Sequence, residues 1–416
     1  MLDLDPVRAA FPGLAADPEE RGPPLPRFAH LDNAGGTLMP TPVIERIAAA
    51  LRRGSIARGS PHPRSRAIDD DLRAGHEAVA ELLGADADEV ILGPSTTHNL
   101  DRIAQALAAG WRPGDRVIVS ALDHEANLGP WRRLARLGLE VVTWPLRRET
   151  ASLEVDDLRP LLTDRTRLVA FTHCANVVGA IVDVAAITRV IHDAGALACV
   201  DGVAEAPHRR VDVRALEVDL YAISLYKIYG PQVGALFGRA ELLRGGGPIH
   251  PFVAADEVPY RYEVGGPLHA LCAGLPGILE HFDALDTDHF GSRGDAAVAD
   301  PGRIHRLLAE HEAALTGRLL GALRSSPRAR ILGPTGAGID ERVALIAFTI
   351  DGEDPRAIVR ALAEVGVNAR SGHFYAPEAL RALGVDGRGV VRLSLAHYNS
   401  DEEIERAIAG LAPLLG

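Results

Sequence analysis

Leu220-Tyr-Ala-Ile-Ser224-Leu-Tyr-Lys227-Ile-Tyr-Gly-Pro231 decides how the chain is read: an apolar run of strand length that ends in a lysine and a Gly-Pro turn. One strand upstream, Ala196-Leu-Ala-Cys-Val200 ends the same way, in Asp201-Gly202. Working outward, further short apolar runs stand at Val90-Ile-Leu, Arg116-Val-Ile-Val-Ser120, Glu140-Val-Val-Thr-Trp144, Leu168-Val-Ala-Phe-Thr172 and Val233-Gly-Ala-Leu-Phe237. Stretches of helical period lie between several of them, at Thr97 to Ala109, Asn127 to Leu137, Val155 to Leu162 and Val184 to Asp193. Such alternation predicts crossover connections and an α/β fold with a mainly parallel, seven-stranded sheet buried on both faces. Ligands of these sheets gather at the carboxyl ends of the strands.

The flanks read differently. Helices are expected near Val43 to Leu51 and Ile68 to Leu83, and again from Leu268 to Leu285 and Arg303 to Leu323. Val343 to Ile350, Pro355 to Val365, Val367 to Arg370, Val390 to Leu395 and Asp401 to Leu415 then suggest a smaller α+β domain. The division expected is a large domain over 30–285 and a small one made of 1–29 and 286–416, with the polar run Asp286 to Asp300 read as linker or loop.

Composition narrows the function. The 416 residues are 47% hydrophobic and 24% charged, ordinary globular usage. The net charge of −12 argues against nucleic acid, whose phosphates demand a positive surface. No run approaches the ~18 apolar residues needed to span a bilayer, and Met1-Leu-Asp-Leu-Asp-Pro lacks the basic start and apolar core of a secretory signal. Cys174, Cys199 and Cys272 are scattered and form no metal-ligand spacing, so no metal site is expected. A reduced, cytoplasmic protein fits best.

Lys227 and Asp201 gain meaning together. A lysine among apolar neighbours favours the neutral, nucleophilic amine. Singly, it also reads as a surface lysine, and Asp201 as a turn cap. As a pair they suit pyridoxal phosphate, which needs a lysine for its aldehyde and an acid for its pyridinium nitrogen.

The ordered series Leu31-Asp-Asn33-Ala, Pro94-Ser-Thr96-Thr97-His, Asp123-His124-Glu-Ala-Asn127, Asn176-Val-Val-Gly, Asp201-Gly-Val-Ala, Ser224-Leu-Tyr226-Lys227 and Arg370-Ser-Gly-His373 resembles the class V aminotransferase group of fold type I pyridoxal-phosphate enzymes. Within it the series is most similar to the cysteine desulfurases and selenocysteine lyases. The resemblance implies that Lys227 carries the cofactor, that Asp201 pairs with its ring nitrogen and that His124 stacks on its face. It implies that Asn176 bonds the phenolic oxygen, and that Thr96, Thr97, Ser224 and Tyr226 serve the phosphate at a helix start. Arg392 would take the substrate carboxylate with a two-pronged guanidinium, and Asn33 and His373 would lie against the substrate. It implies a homodimer with Gly266, of Gly265-Gly266-Pro267, against the partner's cofactor.

Departures from the family pattern bear on the reaction. The family reads Arg-x-Gly-His-His-Cys where this chain reads Arg370-Ser-Gly-His373-Phe374-Tyr375, so a phenol stands at the place of the sulfur-accepting cysteine. Ala204 replaces a glutamine, Gly266 a threonine, and Gly35 an alanine in the opening motif. Cys272 is the cysteine with a route to the site, although a helix position reads as core; Cys174 and Cys199 are expected in strands, buried and inert. The reaction these residues favour is β-elimination of a sulfur group from a cysteine-derived amino acid, with Tyr375 as proton donor or apolar lid contact. The alternatives are racemisation or epimerisation of the isopenicillin N epimerase type, and a pyridoxal-phosphate-binding protein without turnover. The basic stretch Arg52 to Arg66 is either a solvated loop or an entrance collar for anionic substrates.

Overall fold

The computed structural model describes residues 2–15, 28–54, 56–247, 257–265, 268–291, 300–385 and 387–416. The expected apolar runs form seven strands: β1 (Val90–Gly93), β2 (Arg116–Ser120), β3 (Glu140–Trp144), β4 (Thr166–Thr172), β5 (Leu197–Asp201), β6 (Leu220–Ser224) and β7 (Gly234–Gly238). They lie side by side in the order β1-β7-β6-β5-β4-β2-β3. β7 alone runs against its neighbours, and β2 to β6 pair in parallel.

Side chains of a strand point alternately to opposite faces, and here the alternation divides two cores. Ile118, Val169, Phe171, Ala198, Val200, Tyr221 and Ile223 enter one apolar cluster. Val117, Val119, Leu168, Ala170, Cys199, Leu220 and Ala222 enter the other. Burial on both faces is why these runs are continuously apolar.

A second sheet, β10-β11-β9-β8 in spatial order, is antiparallel: β8 (Ala329–Leu332), β9 (Leu345–Ile350), β10 (Arg370–Gly372) and β11 (Val390–Ser394). The helices Arg303–Arg324, Pro355–Glu364 and Asp401–Leu415 cover it over a core that includes Leu319, Phe348, Leu362, Leu393 and Leu411. Ala29–His30 pairs in parallel with Val367–Asn368, and Leu31 joins this core.

Both expected domain boundaries fall inside continuous structure. The helix Pro276–Phe290 runs straight through 285, because Asp286 is not solvated: it is buried and accepts from Arg303 Nε at 2.7 Å. The basic stretch forms an exposed loop and the start of the helix Pro63–Leu83, with Arg53 paired to Asp71 and Arg58 to Asp69 at 3.4 Å. Among the described residues no helix is long and apolar enough to cross a membrane, and no group of three metal-ligating side chains occurs.

Candidate active site

Five strands deliver polar residues to one edge of the main sheet. Ser95 and Thr96 follow β1, Asp123 and His124 follow β2, Thr172 and Asp201 end β4 and β5, and Ser224 ends β6 with Lys227 in the turn Leu225–Lys227 behind it. Parallel strands make this convergence automatic: their carboxyl ends share an edge. The result is a cavity lined by Thr96, Thr97, His124, Asn176, Asp201 and Lys227, among others.

Lys227 lines this cavity from the turn behind β6. Burial, and next the nearby Arg392, push its pKa down to about 8 against the opposing pull of Asp201 and Asp32. About a tenth of the molecules then carry the neutral amine at pH 7. Asp201 is buried and accepts the Val203 N–H at 2.9 Å. Burial raises its pKa, while the Val203 bond and Lys227 hold the rise back. Gly202 lets this turn close over Tyr221, whose ring would lie 2.0 Å from any Cβ there.

His124 caps the helix Glu125–Arg133, its Nδ1 accepting from Ala126 N–H at 3.0 Å. Burial, then Lys227 and Arg392, lower its pKa to about 4. The ring is therefore neutral near pH 7, with the proton on Nε2.

The helix Thr96–Ala108 points its N-terminus into the cavity. Ser95 caps it by accepting from His98 N–H at 3.1 Å, which leaves the first N–H groups without intrahelical partners. The Thr96 hydroxyl is 2.8 Å from the Ile223 carbonyl and 2.6 Å from Ser224 Oγ. Thr96 and Ser224 thus act as one hydroxyl pair. Gly234 makes the close packing possible, since a Cβ there would sit 2.2 Å from Thr96 N. Tyr226 lines the cavity as well, its phenol pKa raised by burial.

Other expected residues are placed differently. Asn33 does not line the cavity: its amide donates to the His30 and Ser394 carbonyls at 2.8 and 2.9 Å, and its oxygen accepts from Tyr398. It ties the N-terminal segment to the small sheet. Asn176 lines the cavity, but its amide donates to the Phe374 carbonyl at 2.9 Å, and its Oδ1 is buried without a partner among the described residues. His373 is exposed, its Nδ1 accepting from Tyr375 N–H at 3.1 Å. Arg392 is 3% exposed and outside the lining, with Nη2 donating to Asp32 at 3.0 Å and Nη1 to the Asn176 carbonyl at 3.0 Å. Gly266 lies outside the described residues.

All three cysteines are buried, as expected, but the one beside the cavity is not Cys272. Cys272 is buried against Gly75, with its thiol pushed by burial up to about 12. Cys174, not Cys272, lines the cavity. It follows β4 instead of lying in a strand, its thiol donates to the Gly179 carbonyl at 3.3 Å, and burial raises its pKa well above the ordinary range. Asp32 and Phe374, to which the sequence reading gave no role, both contact Arg392; an acid beside Asn33 and an aromatic in place of histidine were the signals available.

The profile of the aminotransferase class-V family matches residues 29–299 and 304–407. The chain belongs to the class V aminotransferase family. Over its whole length it is 33% identical to the aminotransferase-like protein FGM3 of Gibberella zeae, covering 99% of that protein. It is 32% identical to a cysteine desulfurase of Serratia proteamaculans over 98% of this chain and 97% of that one. Among solved structures, the cysteine desulfurase CsdA of Escherichia coli superimposes with a TM-score of 0.81 at 29% identity, over 100% of this chain and 99% of the other. The cysteine desulfurase of Thermococcus onnurineus does so at 0.82 and 25% identity, over 93% and 94%. This class V aminotransferase is accordingly an enzyme of the fold type I group, with pyridoxal phosphate as cofactor. Its residues fit that group: a lysine of lowered pKa, a buried carboxylate, a neutral ring and a helix N-terminus face one cavity.

Proposed function

We propose that this chain cleaves the C–S bond of a cysteine-derived amino acid by β-elimination, without a persulfide relay. The observation that carries the reading is the side chain at the tip of the loop beside the cavity. Tyr375 stands there, 63% exposed, its ring 5.5 Å from that of His124. The three cysteines are all buried, each thiol pKa raised by burial, so none supplies a thiolate at neutral pH.

Bound pyridoxal phosphate supplies the sink for electrons released at the substrate α-carbon. Lys227 would hold the cofactor, and its amine would take the substrate's α-proton. Asp201 would hold a proton at the ring nitrogen, since a buried carboxylate favours a cation beside it. His124 would lie against the ring as an uncharged plane. The Thr96 and Thr97 N–H groups would hold the phosphate, joined by the Ser224 hydroxyl as it turns its proton from Thr96, whose own hydroxyl is spent on the Ile223 carbonyl. Arg392 takes the substrate α-carboxylate, and Tyr375 gives a proton to the departing sulfur, because a phenol donates more readily than it accepts near pH 7. Overall, R–S–CH₂–CH(NH₃⁺)–COO⁻ and one water give the thiol, pyruvate and ammonium.

The test is a panel of cysteine S-conjugates, cystine, selenocysteine and D- and L-amino acids, with products read by mass spectrometry. Thiol and pyruvate in equal amounts support elimination. α-Deuterium incorporation with inverted configuration assigns the protein to epimerisation instead, and no turnover across the panel to a non-catalytic role.

A further inference from the structure

We propose that Phe374 is a specificity-determining residue that gates Arg392: its ring occupies one face of the guanidinium, and a ligand carboxylate binds there only by displacing it. This rests on Arg392 being the carboxylate site of the function proposed above.

Arg392 is incompletely satisfied. Its guanidinium carbon lies 4.0 Å from the centre of the Phe374 ring, a cation–π contact. Asp32 and the Asn176 carbonyl each take one N–H, at 3.0 Å, while the buried Nε has no partner among the described residues. An aromatic face answers the charge but leaves in-plane donors unmet. A carboxylate accepts two such bonds side by side and suits both needs. A buried donor left unpaired is unfavourable, so the closed arrangement favours exchange of the ring for an anion.

The loop is built to release. Phe374 and Tyr375 have φ of 50° and 56°, two successive bulky residues in the left-handed region, which is sterically costly and held only where surroundings impose it. Four hydrogen bonds hold the turn: the Asn176 amide on the Phe374 carbonyl at 2.9 Å, the Glu125 N–H on the Tyr375 carbonyl at 2.8 Å, the Tyr375 N–H on His373 Nδ1 at 3.1 Å and the Ala376 N–H on the His373 carbonyl at 2.8 Å. Asn176 belongs to both halves of the device, since its own carbonyl accepts from Arg392. Engaging Arg392 therefore bears directly on the residue that pins Phe374. Arg392 is only 3% exposed with the Phe374 ring on one face, so a ligand reaches the in-plane donors only as the ring moves, and a free carboxylate, which takes two of them at once and carries the opposite charge, gains most from the opening.

The experiment uses the holoenzyme with 3-mercaptopropionate, which carries the carboxylate and sulfur but no amine to react with the cofactor, and its neutral amide as control. Calorimetry gives the affinity, and hydrogen-exchange mass spectrometry reports the Glu125 amide and the 373–376 loop. We expect the carboxylate, not the amide, to bind and to accelerate exchange at Glu125 and the loop. In Phe374→Ala, exchange should be fast without ligand and the carboxylate should bind about three- to tenfold tighter, the range of one cation–π contact removed from competition. Phe374→Leu, which keeps bulk for folding but lacks the aromatic face, should shift the same way. Equal or weaker carboxylate binding in both variants overturns the gate, as does wild-type binding with unchanged or slower exchange. Absence of carboxylate binding in every form overturns it through Arg392 itself. None of these readouts depends on turnover, so failure of the elimination reaction is scored separately.

Discussion

The rings of His124 and Tyr375 lie 5.5 Å apart, inclined by 52°, and the Glu125 N–H next to His124 donates to the Tyr375 carbonyl at 2.8 Å. The loop that carries the phenol is thereby fastened to the turn that carries the expected cofactor-stacking ring. In the proposed reaction this phenol is the proton donor to the group leaving the substrate β-carbon. Tyr375→Phe should lower kcat about 10²-fold or more with little change in KM, the loss typical of a positioned proton donor. Steady-state kinetics on a cysteine S-conjugate check it; a change under threefold reduces Tyr375 to a lid contact. Tyr375→Cys is the companion, expected to form a persulfide with free cysteine, detectable by mass spectrometry of the 373–376 peptide.

Lys227 makes a pH prediction of definite sign. Its pKa is depressed to about 8, so the nucleophilic amine gains population as pH rises, is half-populated near pH 8 and saturates only about a unit higher. The rate at which the apoprotein takes up pyridoxal phosphate, followed by visible absorbance, should rise steadily through pH 8, with its midpoint there, and level off about a unit above, apart from the cofactor's own ionisations. Borohydride should then fix the cofactor on the peptide containing Lys227, and an adduct on any other lysine would contradict the assignment.

Asp201→Asn keeps the size of the side chain and can still accept from Val203 N–H, which the carboxylate meets at 2.9 Å. What it removes is the charge. Cofactor should remain bound with an altered visible spectrum, while kcat falls about 10²-fold or more. Turnover near the wild-type value would exclude a role for this carboxylate in holding the ring proton.

His76 sets a pH dependence of stability. Its Nδ1 donates to the Leu72 carbonyl at 2.8 Å and its Nε2 to Glu263 at 2.7 Å, which requires the imidazolium. Burial opposes that charge, but the hydrogen bond and charge of Glu263 and the Leu72 carbonyl outweigh it, and the pKa is raised above the ordinary 6.5. The folded state therefore binds the proton more tightly than the unfolded one. The stabilisation is complete below pH 6.5 and is lost as pH rises through the raised value. Tm should fall over that alkaline window, and His76→Gln should flatten the fall; thermal scans at fixed ionic strength decide it.

The homodimer expected from Gly265-Gly266-Pro267 is tested by sedimentation, which should give about twice the chain mass of 44.2 kDa. Full activity in a species of single-chain mass would exclude a site shared between subunits.

Short-range physics was legible in the sequence. Arg116–Ser120, Glu140–Trp144 and Leu220–Ser224 begin and end in the structure where their apolar runs do, because strand period and flanking turn residues are local signals. The placement of Lys227 and Asp201 at one edge was legible for the same reason, since parallel strands bring their carboxyl ends together without further information. Long-range pairing was not. Asp286 reads as solvated polar chain until Arg303 covers it. Asn33 reads as a substrate contact until Ser394 and Tyr398, more than 360 residues away, occupy its amide. Cys174, expected inert in a strand, reaches the cavity, and Cys272, in a helix, does not. Whether Arg392 faces solvent, substrate, Asp32 or the ring of Phe374 is equally absent from Val390-Val-Arg392-Leu-Ser394. Local preferences fix which residues form strands and helices; which buried charge meets which partner is decided only when distant segments pack and the unpaired alternatives become too costly.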